Sequence, residues 1–384
     1  MENDTIIQNI RQKAERYLEE QLELLKRLVS VDCGTGNLDG NSKVAEMLGP
    51  ILSGLGGRLE RHECPLTGLH LVTRLGRPGA GKKILCLAHL DTIFAEGEAK
   101  RHPFRTEGEV AYGLGIADCK GGVVVSIYGL KIAIELGLIS EEVEITVIYN
   151  SDEEIGSPYS RKIIQAEAKG AQLALVFEPA RSSDSLITHC SGIVSGYLEV
   201  IGTAAPLPIR TSSDIKVAIW RISESMESHD DPSRGVSFHL LFPRHNLQIE
   251  DTVKELTVNF IITFDDDAGF KYIKETLEKI VHSSWAPETR LSAKFEVRPP
   301  SADRTDKTLQ AYTELLKVGR ELGHSFNQVK PLSSTDGYLC AFHGLPVIDS
   351  LGPTMGQIHK VDESLLISSL REKTELFALY LSTL

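Results

Sequence analysis

"VEITVIYNSDEEIG", residues 143–156, runs an apolar β-type segment directly into three consecutive acids, Asp152, Glu153 and Glu154, with Gly156 close behind. A run this apolar reads as a central strand, one covered by other elements on both faces. The acids therefore stand where a buried strand ends. Most acidic clusters are simply solvated. Three negative charges at a buried strand end raise the question of which cation they hold.

The segments around this one repeat its pattern. "LHLVTRLG" (69–76), "KKILCLAHLD" (82–91) and "AQLALVFEP" (171–179) also read as strands. Between them "KGGVVVSIYGLKIAIELGL" (120–138) fits a buried helix ending near Gly137, and a further helix is expected near 157–169. Upstream, Ile6, Ile10, Leu18, Leu22, Leu25 and Leu28 recur at helical spacing, which predicts an amphipathic helix over 4–30 with Asp4 as N-cap. A second helix is expected over 41–54. Alternating strands and helices predict an α/β domain, a mainly parallel sheet with helices on both faces. In such sheets sites form at the carboxyl ends of the strands. His89, Glu153 and Glu178 each stand just past the apolar run of a different strand.

From about 192 the texture changes. "IVSGYLEVIG" (193–202), a helix near 212–227, "GVSFHLLFP" (235–243), "KELTVNFIITFDD" (254–266), a helix near 268–282 and "RLSAKFEVR" (290–298) give β-α-β-β-α-β, the order of a ferredoxin-like α+β sheet. "RPPSADRTD" (298–306) reads as a linker. A helix over 306–322, "STDGYLCAFHGLPVIDSLG" (334–352) and a final amphipathic helix over 363–382 return to the first domain. The expected division is 1–191 with 305–384 as a catalytic metal-binding domain, and 192–304 as an inserted lid and dimerisation domain.

Bulk composition narrows the function. At 384 residues, 41% hydrophobic and 24% charged, the chain has the length for two packed cores. A net charge of −12 opposes attraction to nucleic-acid phosphates or anionic lipid, so neither is an expected partner. The first twenty residues show no signal-peptide pattern and no apolar run approaches the ~20 residues of a membrane span, so a cytoplasmic location is the expectation. The six cysteines form no C-x-x-C pair and read as reduced thiols.

Five residues have the chemistry of metal ligands. In "AHLDT" (88–92) the period of two puts His89 and Asp91 on one side, so Asp91 either ligates or hydrogen-bonds the second ring nitrogen of His89. In "YGLGIADCKGG" (112–122) Asp118 lies between glycines at 113, 115, 121 and 122, whose backbone freedom suits a carboxylate shared by two cations. Taken alone, each is an ordinary turn or helix-start residue. Glu154 suits a ligand while Glu153 faces the water to be activated, and Asp152 caps or closes the turn that follows. Glu178 precedes Pro179 and is held extended; a strand-end Glu needs a cationic partner. His359, in "GPTMGQIHKVDE" (352–363), completes the set. Two His and three carboxylates suit two divalent ions, zinc first, with cobalt or manganese as substitutes. Asp118 is then shared, with His89 and Glu178 at one ion and Glu154 and His359 at the other.

With these residues in view, the chain resembles the di-zinc metallopeptidases that include glutamate carboxypeptidase, acetylornithine deacetylase, succinyl-diaminopimelate desuccinylase and peptidase T. The resemblance runs in order along "LAHLDT", "AYGLGIADCKGG", "YNSDEEIGS", "VFEP", "STDGYLCAFHGLPVIDSLGP" and "IHKVDE". It implies an aminopeptidase-like catalytic domain, a ferredoxin-like lid of the kind often used for homodimerisation, and a cis Asp118–Cys119 peptide bond. It also implies Glu153 as general base and Asp91 as support for His89. The lid departs from the family pattern: "VIGTAAPLPIR" (200–210) holds no histidine, His229 in "ESHDDPSRG" (227–235) follows the helix, and "NFIITFDDD" (259–267) lacks an arginine. The implied activity is metal-dependent cleavage of an amide bond in a small peptide or N-acyl amino acid. The alternative is a non-catalytic, metal-stabilised relative whose modified lid binds a ligand or partner.

Overall fold

In the computed structural model, which describes residues 2–188, 191–202, 209–241, 255–298, 306–329, 335–341 and 344–384, Val143–Asn150 is a strand buried at every position. It lies inside a six-stranded sheet ordered Arg58–Cys64, Gly68–Leu75, Val143–Asn150, Lys82–His89, Leu173–Val176, Val347–Ile348. The last four strands run parallel to one another, and the first two are antiparallel additions at one edge. Side-chain alternation feeds two cores. Ile84, Cys86 and Ala88 point into one with Ile145, Val147 and Tyr149. Leu85, Leu87 and Ile148 point into the other with Ile164, Val176 and Leu339.

Three helices, Glu2–Val29, Gly122–Glu135 and Ile367–Leu381, pack on the first face. The Gly122–Glu135 helix is buried on every side from Gly122 to Leu130, where the other two helices and the sheet enclose it. Register then sets the rim: His89 pairs with Asn150 and Leu87 with Val176, so three strands end side by side.

Several expected boundaries move for physical reasons. Asp4 lies inside the first helix, which begins at Glu2. The second helix begins at Leu38, because Asn37 supplies the N-cap by accepting the Gly40 N–H at 2.9 Å. Regular helix begins at Gly122 and not at 120, since Asp118 and Cys119 have non-helical backbone angles; the Asp118–Cys119 peptide bond is cis. The final helix begins at Ile367 because Ser364–Leu366 pairs as a strand with Val110–Tyr112. Arg58–Cys64 is a strand that lacks an apolar run, being largely exposed at the sheet edge.

A second compact unit falls within Cys190–Asp303. Its sheet is antiparallel and ordered Ser237–Leu241, Glu255–Phe264, Gly192–Gly202, Thr289–Arg298, with helices Ile209–Glu227 and Asp267–His282 in β-α-β-β-α-β sequence. It has its own core, built on Val194, Leu198, Ile215, Phe238, Phe260 and Leu277. Residues 203–208 of the histidine-free segment, 299–305 of the linker, and 334, 342 and 343 of the returning segment lie outside the described residues. Among the described residues no helix is long and apolar enough to cross a membrane. Cys33, Cys64, Cys86, Cys119 and Cys340 are free and buried.

Candidate active site

Asp118 stands at the centre of the rim, just before the enclosed helix, with its two oxygens facing different partners. Oδ1 lies 2.9 Å from Nε2 of His89, and that nitrogen is 3.7 Å from Oε1 of Glu178. Oδ2 lies 3.0 Å from Nε2 of His359, which is 3.6 Å from Oε2 of Glu154. Residues far apart in the chain are thus drawn into two groups that share one carboxylate. His89, Asp118 and Glu178 are buried, whereas His359 is exposed and holds a left-handed backbone, φ 59°. A non-glycine residue in that conformation is found mostly where the surroundings impose it.

Asp91 lies behind His89, with its Oδ1 3.4 Å from the ring Nδ1. The Nδ1 of His89 lies 3.0 Å from the Asp91 backbone carbonyl, which orients the ring and leaves Nε2 facing Asp118. The fully buried Asp91 carboxylate also accepts from the backbone N–H of Glu153 at 3.2 Å, from that of Glu154 at 3.3 Å, and from the Thr35 hydroxyl at 2.8 Å. One carboxylate therefore fixes the turn that presents both glutamates. Of the two roles open to Asp91, ligation or support, these contacts favour support.

Further residues hold this turn, and apart from Asp152 they were not singled out in the sequence. Asp152 accepts from the N–H groups of Tyr159 and Ser160 at 2.7 and 3.0 Å, closing the loop ahead of the Arg161–Ala168 helix. Asn150 donates to Asp336 at 2.7 Å, and the Ser157 hydroxyl donates to the other oxygen of Asp336. Glu363 is fully buried and accepts from the N–H groups of Ala117 and Asp118 at 3.0 and 3.1 Å, so the residue closing "IHKVDE" clamps the backbone of the shared aspartate. Cys119 lies within 4.8 Å of His89 and Glu178. Its thiol donates to the Phe177 carbonyl at 3.1 Å, and burial pushes its pKa up, so it stays a neutral thiol.

The electrostatics follow from crowding. Burial raises the carboxyl groups of Glu153 and Glu178 well above the carboxylate range and that of Glu154 to about 7, against the opposing pull of His89. Burial also acts to lower His89, but Glu178, Asp118 and Asp91 together raise it well above its ordinary value. Hydrogen bonding to Asp118 raises His359, and the two imidazoles hold Asp118 low despite its burial. Acids this close stay ionised only beside positive charge. Three carboxylates and two imidazoles form an N/O donor set fitted to divalent ions, and each oxygen of Asp118 has its own imidazole and its own glutamate.

A mainly parallel sheet with such a rim, carried on a chain with a separate antiparallel four-stranded unit, defines a hydrolase of the peptidase and amidohydrolase class. The chain belongs to peptidase family M20/M25/M40, whose model matches residues 85–383. It is 30% identical to carboxypeptidase G2 of Pseudomonas sp. (strain RS-16) over 350 residues, covering 86% of this chain and 81% of that protein. It shares its fold with human carnosine dipeptidase 1, with TM-score 0.72 and 15% identity, covering 98% of this chain and 100% of that one. It shares it also with the Bacillus subtilis YXEP protein, a dinuclear metal binding peptidase from the M20 family, with TM-score 0.65 and 11% identity, covering 96% and 98%. The expected family and fold class are those found.

Proposed function

We propose that the protein hydrolyses an amide bond in a small peptide or N-acyl amino acid, using two divalent ions held by His89, Asp118, Glu154, Glu178 and His359. The geometry at Asp118, each oxygen facing one imidazole with a glutamate beyond it, supports this reading most directly. When bound, such ions supply Lewis acidity, which polarises an amide carbonyl and makes water acidic near neutral pH. Zinc fits the mixed imidazole and carboxylate set best.

Glu153 is the proton carrier of this scheme. It takes a proton from the water that attacks the carbonyl carbon and returns it to the amine that leaves. Burial raises its carboxyl above the ordinary carboxylate range, the direction that suits a proton carrier. Asp91 acts through others, orienting His89 by its carbonyl and the Glu153–Glu154 backbone by its carboxylate. A homodimer through the 192–298 unit belongs to the same reading, supported by Trp220, Phe295 and Val297, which leave apolar surface exposed on that unit.

The test is hydrolysis of dipeptides and N-acyl amino acids by the zinc-loaded protein, with and without chelator. Turnover that chelator removes and zinc restores is expected. Glu153→Ala should lose turnover while keeping the metal content of the parent, and a variant that retained near-normal rates would refute the assignment.

A further inference from the structure

A cavity of about 730 Å³ opens beside Glu154, within the size range of small-ligand sites. One wall is the loop and helix start at 34–39, and the other is the segment 92–96 that follows the His89 strand. The walls are fastened to each other: Gly34 and Thr92 form a β-bridge, and Thr35 N–H donates to the Thr92 carbonyl at 3.1 Å. Asp32 secures the far end by accepting from the N–H groups of Gly97 and Ala99 at 2.9 and 2.8 Å. At Gly34 a Cβ would meet the Phe94 carbonyl oxygen at 2.3 Å, so the close approach requires glycine. Thr35 ties the same loop to Asp91 and so to the Glu153–Glu154 turn. The cavity is therefore preformed and fixed relative to the proton carrier.

Its lining has a definite chemistry. Leu38, Ile93 and Ile155 are large apolar side chains left 38%, 50% and 50% exposed, and all three line this cavity together with Phe94 and Ala95. Scattered exposed aliphatics are ordinary, but three gathered on one cavity beside a candidate ligand mark a surface that an apolar group covers. The ionisable lining residues are Asp39, Glu96 and Glu154, all acids, and no Lys, Arg or His is among the lining residues. The start of the Leu38–Gly54 helix does not supply a free positive end, because Asn37 caps it and Asp39 sits in its first turn.

We propose that this cavity is the specificity pocket for the substrate residue next to the cleaved amide, and that it takes an uncharged apolar side chain, leucine- or phenylalanine-like, and rejects an acidic one. The proposal rests on the hydrolase reading and names its substrate class. An apolar side chain covers Leu38, Ile93 and Ile155. A carboxylate would meet Asp39 and Glu96, and no lining Lys, Arg or His offsets them. Such a pocket distinguishes side chains by about 10- to 200-fold per methylene-sized difference.

Steady-state kinetics on two dipeptide series, X-Ala and Ala-X with X as Gly, Leu, Phe and Glu, test this with the zinc-loaded protein. The expected result is a preference in one series for Leu and Phe over Glu of at least about tenfold in kcat/KM. In that same series Ile93→Ala should reduce the Phe-to-Gly ratio, and the Asp39→Lys, Glu96→Lys double variant should reduce the discrimination against Glu. Turnover without apolar preference in either series, or a preference untouched by these variants, overturns the pocket while leaving the hydrolase reading intact. If no member of either series is cleaved, the hydrolase reading fails for peptides and the pocket assignment falls with it.

Discussion

Asp349 follows the last strand of the central sheet and is fully buried, accepting the Thr335 hydroxyl at 2.6 Å and the Ser350 N–H. Burial raises its pKa from 3.8 to about 7. An acid with a raised folded-state pKa keeps its proton longer in the native state than in the unfolded chain. Stability therefore falls as pH rises from the unfolded value through the folded one. The loss is about 1.4 kcal/mol for each pH unit crossed between those two values, so the wild-type chain loses about 3 kcal/mol between pH 5 and pH 8 through this group alone. Asp349→Asn keeps an oxygen acceptor and removes the charge. The comparison is urea unfolding of both proteins in chelator at pH 5 and pH 8, where titrating groups remote from Asp349 cancel in the difference. The variant should gain about 3 kcal/mol on wild type across that interval, or about 4 °C in Tm. Stability curves that run parallel from pH 5 to pH 8 would refute the argument that burial holds this carboxyl protonated.

The other predictions concern the rim. Asp118→Ala removes the carboxylate facing both imidazoles, so zinc content measured by mass spectrometry should fall below one ion per chain. Gly122→Ala would place a Cβ 1.8 Å from the Phe177 carbonyl oxygen, so it should destabilise by about 3 kcal/mol in urea unfolding and weaken zinc affinity through Glu178 next door. Thr35→Val removes the hydroxyl on Asp91, and kcat should fall severalfold with KM nearly unchanged, because the Glu153–Glu154 turn loses one of its fixed points.

The strands that carry the site were legible because each is an apolar run bounded by a polar residue, a local pattern that burial on both faces imposes. His89, Glu153 and Glu178 stand out at those run ends. Arg58–Cys64 was not legible, since an edge strand exposed along most of its length needs no apolar run. Glu363, Asp336 and Thr35 escaped for another reason. Each acts by hydrogen bonding across loops distant in sequence, Glu363 to Ala117 and Asp118, Asp336 to Asn150 and Ser157, and Thr35 to Asp91. Such contacts follow no periodicity. Glu363 did carry one signal, its place at the end of "IHKVDE". Asp4 illustrates the limit of capping rules, because a suitable residue near a helix start need not be the cap when the helix begins earlier.

The central claim is that one aspartate organises a pair of divalent ions, and anomalous diffraction from zinc-loaded crystals tests it most directly. Two peaks are predicted, one against His89 and Glu178 and one against His359 and Glu154, with Asp118 touching both. A single peak, or zinc bound elsewhere with Asp118 untouched, would contradict it.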